Sequence, residues 1–83
     1  MTAKAQVRDF VKKILIAKGD SRPFADRDSL LLTGRLQSID AVEIVVFLEE
    51  HFAIDFTKVG FDEEKIDSID AIYALIQREL ELN

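Results

Sequence analysis

Three hydroxyls in this 83-residue chain sit in near-copies of one short phrase. Ser29 stands in DSLL, Ser38 in QSIDA and Ser68 in DSIDA, each followed by a bulky aliphatic residue. A serine attacks as a nucleophile in its own right only when a base and an orienting acid converge on it. The single histidine, His51, lies thirteen positions beyond Ser38, about 20 Å along the same expected helix, and cannot reach it. Metal chemistry has no better footing: there is no cysteine, and the carboxylates do not follow the D-x-[DN]-x-[DN]-G pattern of a calcium loop. Glycine-rich phosphate loops are absent as well. The chain is therefore not expected to be an enzyme.

The elements that would carry these serines follow from apolar spacing. Ala3 to Lys18 places Val7, Phe10, Val11, Ile14 and Leu15 on one side of a helix, and Gly19 stops it. The next sixteen residues, to Gly34, hold the only proline and two of the three glycines, and read as a long ordered loop anchored by Phe24 and the leucines. From Ser38 to Phe52 the helical period returns, with Ile39, Val42, Val45, Val46 and one of Phe47 and Leu48 expected inward. The stretch from Ala53 to Phe61 reads as a connector and Asp62 to Lys65 as a brief acidic turn. Ser68 to Leu80 forms a last helix, with Ile69, Ile72, Tyr73, Leu75, Ile76 and Leu80 on its inner face. The sum is an all-α fold, a small four-helix bundle of three main helices and one short one, in a single domain over residues 1–83. SIDA recurs at 38 and 68, but its flanks do not, so the echo marks two helices with the same starting chemistry. A serine ahead of an apolar run is a standard N-cap, and Ser38 with Asp40 and Ser68 with Asp70 both fit that use, while Ser29 reads as a loop hydroxyl.

Composition narrows the partners. The net charge of −5 hides a division: residues 1–35 carry eight Lys or Arg against four Asp or Glu, and residues 36–83 carry three against twelve. Such an acidic surface repels phosphate backbones and attracts basic protein patches, which argues against nucleic acid. Nothing approaches the ~20 apolar residues of a membrane span, so a cytoplasmic monomer is expected.

One segment is more specific than composition. LLLTGRLQSIDAVEIVVFLEEHFAIDF, Leu30 to Phe56, resembles the signature of acyl and peptidyl carrier proteins: a leucine-rich loop, a glycine, a serine between a polar and an aliphatic residue, then a helix running V-E-[IL]-V-x-x-L-E-E-x-F-x-I. The order of helices along nearly the whole chain agrees. The resemblance implies that Ser38 receives a 4′-phosphopantetheine arm from coenzyme A through a phosphopantetheinyl transferase, and carries acyl or aminoacyl groups as thioesters in fatty-acid, polyketide or related biosynthesis. It implies that Asp40, Glu43, Glu49 and Glu50 face basic patches on the transferase and on loading and synthase enzymes. It places cargo against Val42, Val46, Leu48, Phe52, Phe56, Ile66 and Tyr73, with Phe47 and Phe61 narrowing the space. The family usually has Asp immediately before the modified serine, where this chain has Gln37. Ser29 and Ser68 lack the downstream helix pattern and are set aside. The alternative expectation is an unmodified helical adaptor of the same fold that acts by non-covalent contact alone.

Overall fold

The computed structural model describes residues 2–81, so Met1, Leu82 and Asn83 of the expected domain lie outside the described residues. Four α-helices follow in order: α1 (Ala3–Ala17), α2 (Ser38–Phe52), α3 (Phe56–Val59) and α4 (Ile69–Glu81), with a 3-10 turn at Glu63–Ile66 between the last two. The three long helices stand where apolar spacing puts them. Helix α3 replaces part of the expected connector. It is started by Asp55, whose Oδ1 accepts the Thr57 N–H at 2.9 Å, and is too short to leave an apolar period in the sequence.

Helix α1 is capped by Thr2, whose Oγ1 accepts the Ala5 N–H at 3.1 Å, and closes at Gly19, which takes a left-handed φ of 87°. It packs on α4 and α2, and the 3-10 turn packs on α4 and α2. The core is aliphatic: Val7, Val11, Ile14 and Leu15 from α1, Leu30 and Leu36 from the loop, Ala41, Ile44 and Leu48 from α2, Ile54 and Ile66, and Ile69, Ile72, Leu75 and Ile76 from α4. At about 1.5–3 kcal/mol for each fully buried large side chain, these outweigh any single polar contact in the molecule.

Two expected faces turn differently. On α2 the buried residues are Ala41, Ile44 and Leu48 together with Asp40, while Ile39, Val42 and Val46 are 69%, 58% and 42% exposed. Val45 and Leu48 are inward as expected, so the helix is rotated part of the way from the expected inner face. On α4, Leu80 is half exposed rather than inward.

The long loop is ordered by carboxylates at its base. Asp67 Oδ1 accepts three successive N–H groups, from Leu30, Leu31 and Leu32, at 3.2, 2.7 and 3.0 Å, and the Asp67 carbonyl takes Leu30 N–H again at 2.8 Å. Asp20 receives two guanidinium groups, Arg22 and Arg35. Arg35, whose side chain is largely buried, also donates to the Arg22 carbonyl at 2.8 Å and lies over the Phe24 ring. Arg8 grips Asp26 through two hydrogen bonds of 2.8 and 2.7 Å, tying the loop to α1. Gly34, with φ of 84°, makes the turn that leads into α2.

Candidate functional site

The three serines that look alike in sequence have three different environments. Ser68 is the N-cap of α4: its Oγ accepts the Ala71 N–H at 3.0 Å, as expected of a capping serine. The Ser29 Oγ is fully buried beside the Asp67 carboxylate. Burial pushes Asp67 up, but the N–H groups of Leu32, Leu31 and Leu30 outweigh it and hold the carboxyl below its usual range, while Ser29 Oγ has no hydrogen-bond partner among the described residues. Neither hydroxyl is available to an approaching enzyme.

Ser38 is exposed, and it does not cap its helix. Gln37 holds the N-cap position with extended backbone, φ −112° and ψ 175°, and Ser38 is the first helical residue. Among the described residues, the Ser38 hydroxyl and the backbone N–H groups of Ser38 and Ile39 have no hydrogen-bond partner, whereas Asp40 N–H and Ala41 N–H both donate to the Gln37 carbonyl at 2.9 and 3.0 Å. A free hydroxyl thus stands next to two free N–H donors at the positive end of a fifteen-residue helix, a place suited to a phosphodiester anion attached at that oxygen. The residues present fit such a group.

The four carboxylates expected to face partners do not act as one set. Glu43, Glu49 and Glu50 are exposed, and among the described residues none of them joins an ion pair. Asp40 is only 5% exposed. Its Oδ2 accepts the Lys18 Nζ at 2.5 Å and the Gln37 N–H at 2.8 Å. Burial pushes its pKa up, but the Lys18 ammonium and the Gln37 N–H overcome that and hold it low. Asp40 is therefore an internal bracket between α1 and α2, and its expected place on the partner surface is corrected: a carboxylate with two internal donors and almost no exposed area has nothing left to offer a partner.

Beside Glu43 and Glu50, the rotation of α2 brings Ile39, Val42 and Val46 to the surface at i, i+3 and i+7. Three exposed aliphatic residues in line, edged by unpaired carboxylates, make an amphipathic stripe that none of the other described residues covers. The residues expected to hold cargo are not gathered into one space. Leu48 and Ile66 are closed inside the core, Phe52, Phe56 and Tyr73 are half-buried, and Val42 and Val46 lie outside. Phe61, expected to narrow that space, is 54% exposed. An apolar recess of about 370 Å³ lies between α1 and α2, lined by Phe10, Val42, Val46 and Phe47. Its floor is aromatic: Phe10 and Phe47 centroids are 4.2 Å apart, and His51 stacks on Phe47 at 4.4 Å. His51 thus has a packing role, far from Ser38.

Sequence reasoning missed the Lys18–Asp40 pair and the role of Arg35. Lys18 and Asp40 are 22 positions apart, and no local pattern links them. Among the described residues no three His, Cys, Asp or Glu side chains gather to hold a metal ion, and no helix is long and apolar enough to cross a membrane. No family model, curated protein or solved structure matches the chain.

Proposed function

We propose that the chain is a discrete carrier protein, of the acyl and peptidyl carrier kind, with Ser38 as the attachment point for 4′-phosphopantetheine. The observation that carries this reading is the state of the Ser38 hydroxyl: exposed, without a hydrogen bond, and flanked by the two free N–H groups at the start of α2. The bound arm supplies a terminal thiol on which acyl or aminoacyl groups are held as thioesters, which suits a chain with no cysteine of its own.

The protein's part is presentation. In the attachment step the Ser38 Oγ bonds to the phosphorus on the pantetheine side of coenzyme A, the pyrophosphate bond breaks, and adenosine 3′,5′-bisphosphate leaves. The hydroxyl proton goes to a base on the transferase, because Asp40 is already occupied and His51 is about 20 Å along the helix. The free Ser38 and Ile39 N–H groups would hold a phosphodiester anion attached at that oxygen. The stripe of Ile39, Val42 and Val46 with Glu43 and Glu50 receives the transferase and the loading and synthase enzymes, apolar contact giving affinity and the carboxylates steering basic surfaces. Glu49 extends the acidic edge. Leu48 and Ile66 are closed inside the core while Val42 and Val46 line an open recess, which favours short or polar cargo that stays outside the bundle.

Intact mass after incubation with coenzyme A and a broad-specificity phosphopantetheinyl transferase tests the reading. One arm is added to the native chain and to Ser29→Ala and Ser68→Ala, and none to Ser38→Ala. Gln37, where the family has Asp, favours the second reading, an unmodified adaptor. That reading is accepted if no broad-specificity transferase adds mass while basic partners still bind α2.

A further inference from the structure

SIDA opens two helices in this protein, yet the two helices start in different registers. At 68 the serine is the N-cap, with its oxygen committed to the Ala71 N–H. At 38 the helix starts one residue earlier, and the equivalent bond from Ala41 N–H runs to the Gln37 carbonyl. The four letters are the same, so the cause lies in what surrounds them, and it acts through the aspartate. Asp70 is half exposed and pairs outward with Lys4 at 2.9 Å. Asp40 is buried, held by Lys18 from the end of α1, and turned back over the start of its own helix to accept the Gln37 N–H. A carboxylate in that place satisfies the donor at the helix entrance, which makes Gln37 the cap, and the Ala41 N–H that the serine oxygen would take is already bonded to the Gln37 carbonyl.

We propose that Lys18 and Asp40 are positioning residues for Ser38: the ion pair fixes the register in which α2 begins, and that register holds the Ser38 hydroxyl in solvent instead of in the cap. The proposal rests on the carrier reading for its functional consequence, but not for its structural one. Released from Lys18, the Asp40 side chain is free to leave the Gln37 N–H for water. The helix then starts as α4 does, with the serine oxygen accepting from the residue three positions on. In that state the nucleophilic oxygen is bonded to backbone and turned along the helix axis, while Glu43, Glu50 and the apolar stripe are unchanged. A transferase still recognises the protein and no longer finds the hydroxyl in place.

The test uses the full chain with Lys18→Met, Lys18→Arg and Asp40→Ala, and measures kcat and KM for arm transfer alongside amide exchange and the Ser38 side-chain carbon shift by NMR. Lys18→Met is expected to lower kcat on the order of ten- to a hundredfold, the scale for a misplaced reacting group, with KM nearly unchanged. Lys18→Arg, which keeps the cation, restores the rate. Loss of stability alone would act through the folded fraction and raise apparent KM, leaving kcat at saturation intact. In Lys18→Met and Asp40→Ala the Gln37 amide loses its exchange protection and the Ser38 carbon shift moves toward that of Ser68. A native chain that accepts the arm, with Lys18→Met equal to it in kcat, overturns the proposal. If the native chain accepts no arm, the carrier reading fails and the NMR comparison alone decides the register: unchanged Gln37 protection and an unchanged Ser38 shift in both variants overturn it.

Discussion

Replacing Asp67 by alanine is the sharpest probe of what holds the loop in front of Ser38. One oxygen, Oδ1, accepts from Leu30, Leu31 and Leu32. The three losses are unequal. Leu30 N–H keeps its bond to the Asp67 carbonyl at 2.8 Å, and Leu32 is exposed, so water replaces its partner. Leu31 N–H is part-buried and left without an acceptor. One uncompensated charge-assisted bond with a weaker loss at Leu32 comes to about 2–3 kcal/mol. For a domain of this size that lowers Tm by about 8–24 °C. Asp67→Asn keeps an oxygen in place without the charge and is expected to cost about half as much. The two variants also separate by pH. The carboxyl of Asp67 is held below its usual range in the folded chain. Its contribution is therefore complete above the unfolded value of about 3.9 and is lost as pH falls through the lower folded value. The gap in urea midpoint between native and Asp67→Asn should thus be constant near neutral pH and close on acidification below about 4. An Asp67→Ala shift under about 1 kcal/mol, or a native–Asn gap that does not narrow in acid, refutes the reasoning.

Two further outcomes are expected. Ser68→Ala removes a cap and lowers stability by about 1 kcal/mol, whereas Ser38→Ala removes no hydrogen bond and leaves the urea midpoint unchanged within about 0.5 kcal/mol; equal losses at the two serines contradict the difference in register. Reversing Glu43 and Glu50 to Lys slows association of the transferase, measured by stopped flow, by an amount that shrinks as salt shortens the screening length from about 10 Å at 0.1 M to about 3 Å at 1 M; the same slowing on reversal of Glu79 in α4 means that only net charge matters.

The long helices were legible because α1 and α4 each have one apolar and one charged side. Helix α2 was legible in extent and misleading in orientation. Nine of its fifteen residues are apolar, so the spacing of Ile39, Val42 and Val46 and that of Ala41, Ile44 and Leu48 both describe a plausible inner face. What settles the choice is that one polar residue on the second face is neutralised from a distance. Asp40 reads as outward until Lys18 is placed beside it, and that placement depends on how α1 and α2 cross. The same limit hid the function of Arg35, whose partners at Asp20, Arg22 and Pro23 lie across a loop that has no period. Carboxylates at 40 and at 43, 49 and 50 look equivalent in a sequence, and only burial tells a bracket from a docking edge. Ser38 was singled out from its two look-alikes by the helix pattern that follows it. That its hydroxyl stays uncommitted was not legible, because capping and presentation use the same residue at the same helix end.

The tether from Asp67 to Leu30, Leu31 and Leu32 spans 35 to 37 positions, and Asp70 N–H reaches back to the Asp26 carbonyl at 2.9 Å. This arrangement imposes an order of events during synthesis. Helices α1 and α2 are complete while the anchor for the segment between them has yet to be made. That segment gains its fixed course only when residues 67–70 and the rest of α4 have emerged, roughly 2–9 s after Ser38 leaves the ribosome at 5–20 residues per second. A nascent chain thus exposes the serine before it has the surroundings that distinguish it from its two look-alikes. The burial of Ser29 and the capping by Ser68, which set these two hydroxyls apart from Ser38, therefore come with the last part of the fold.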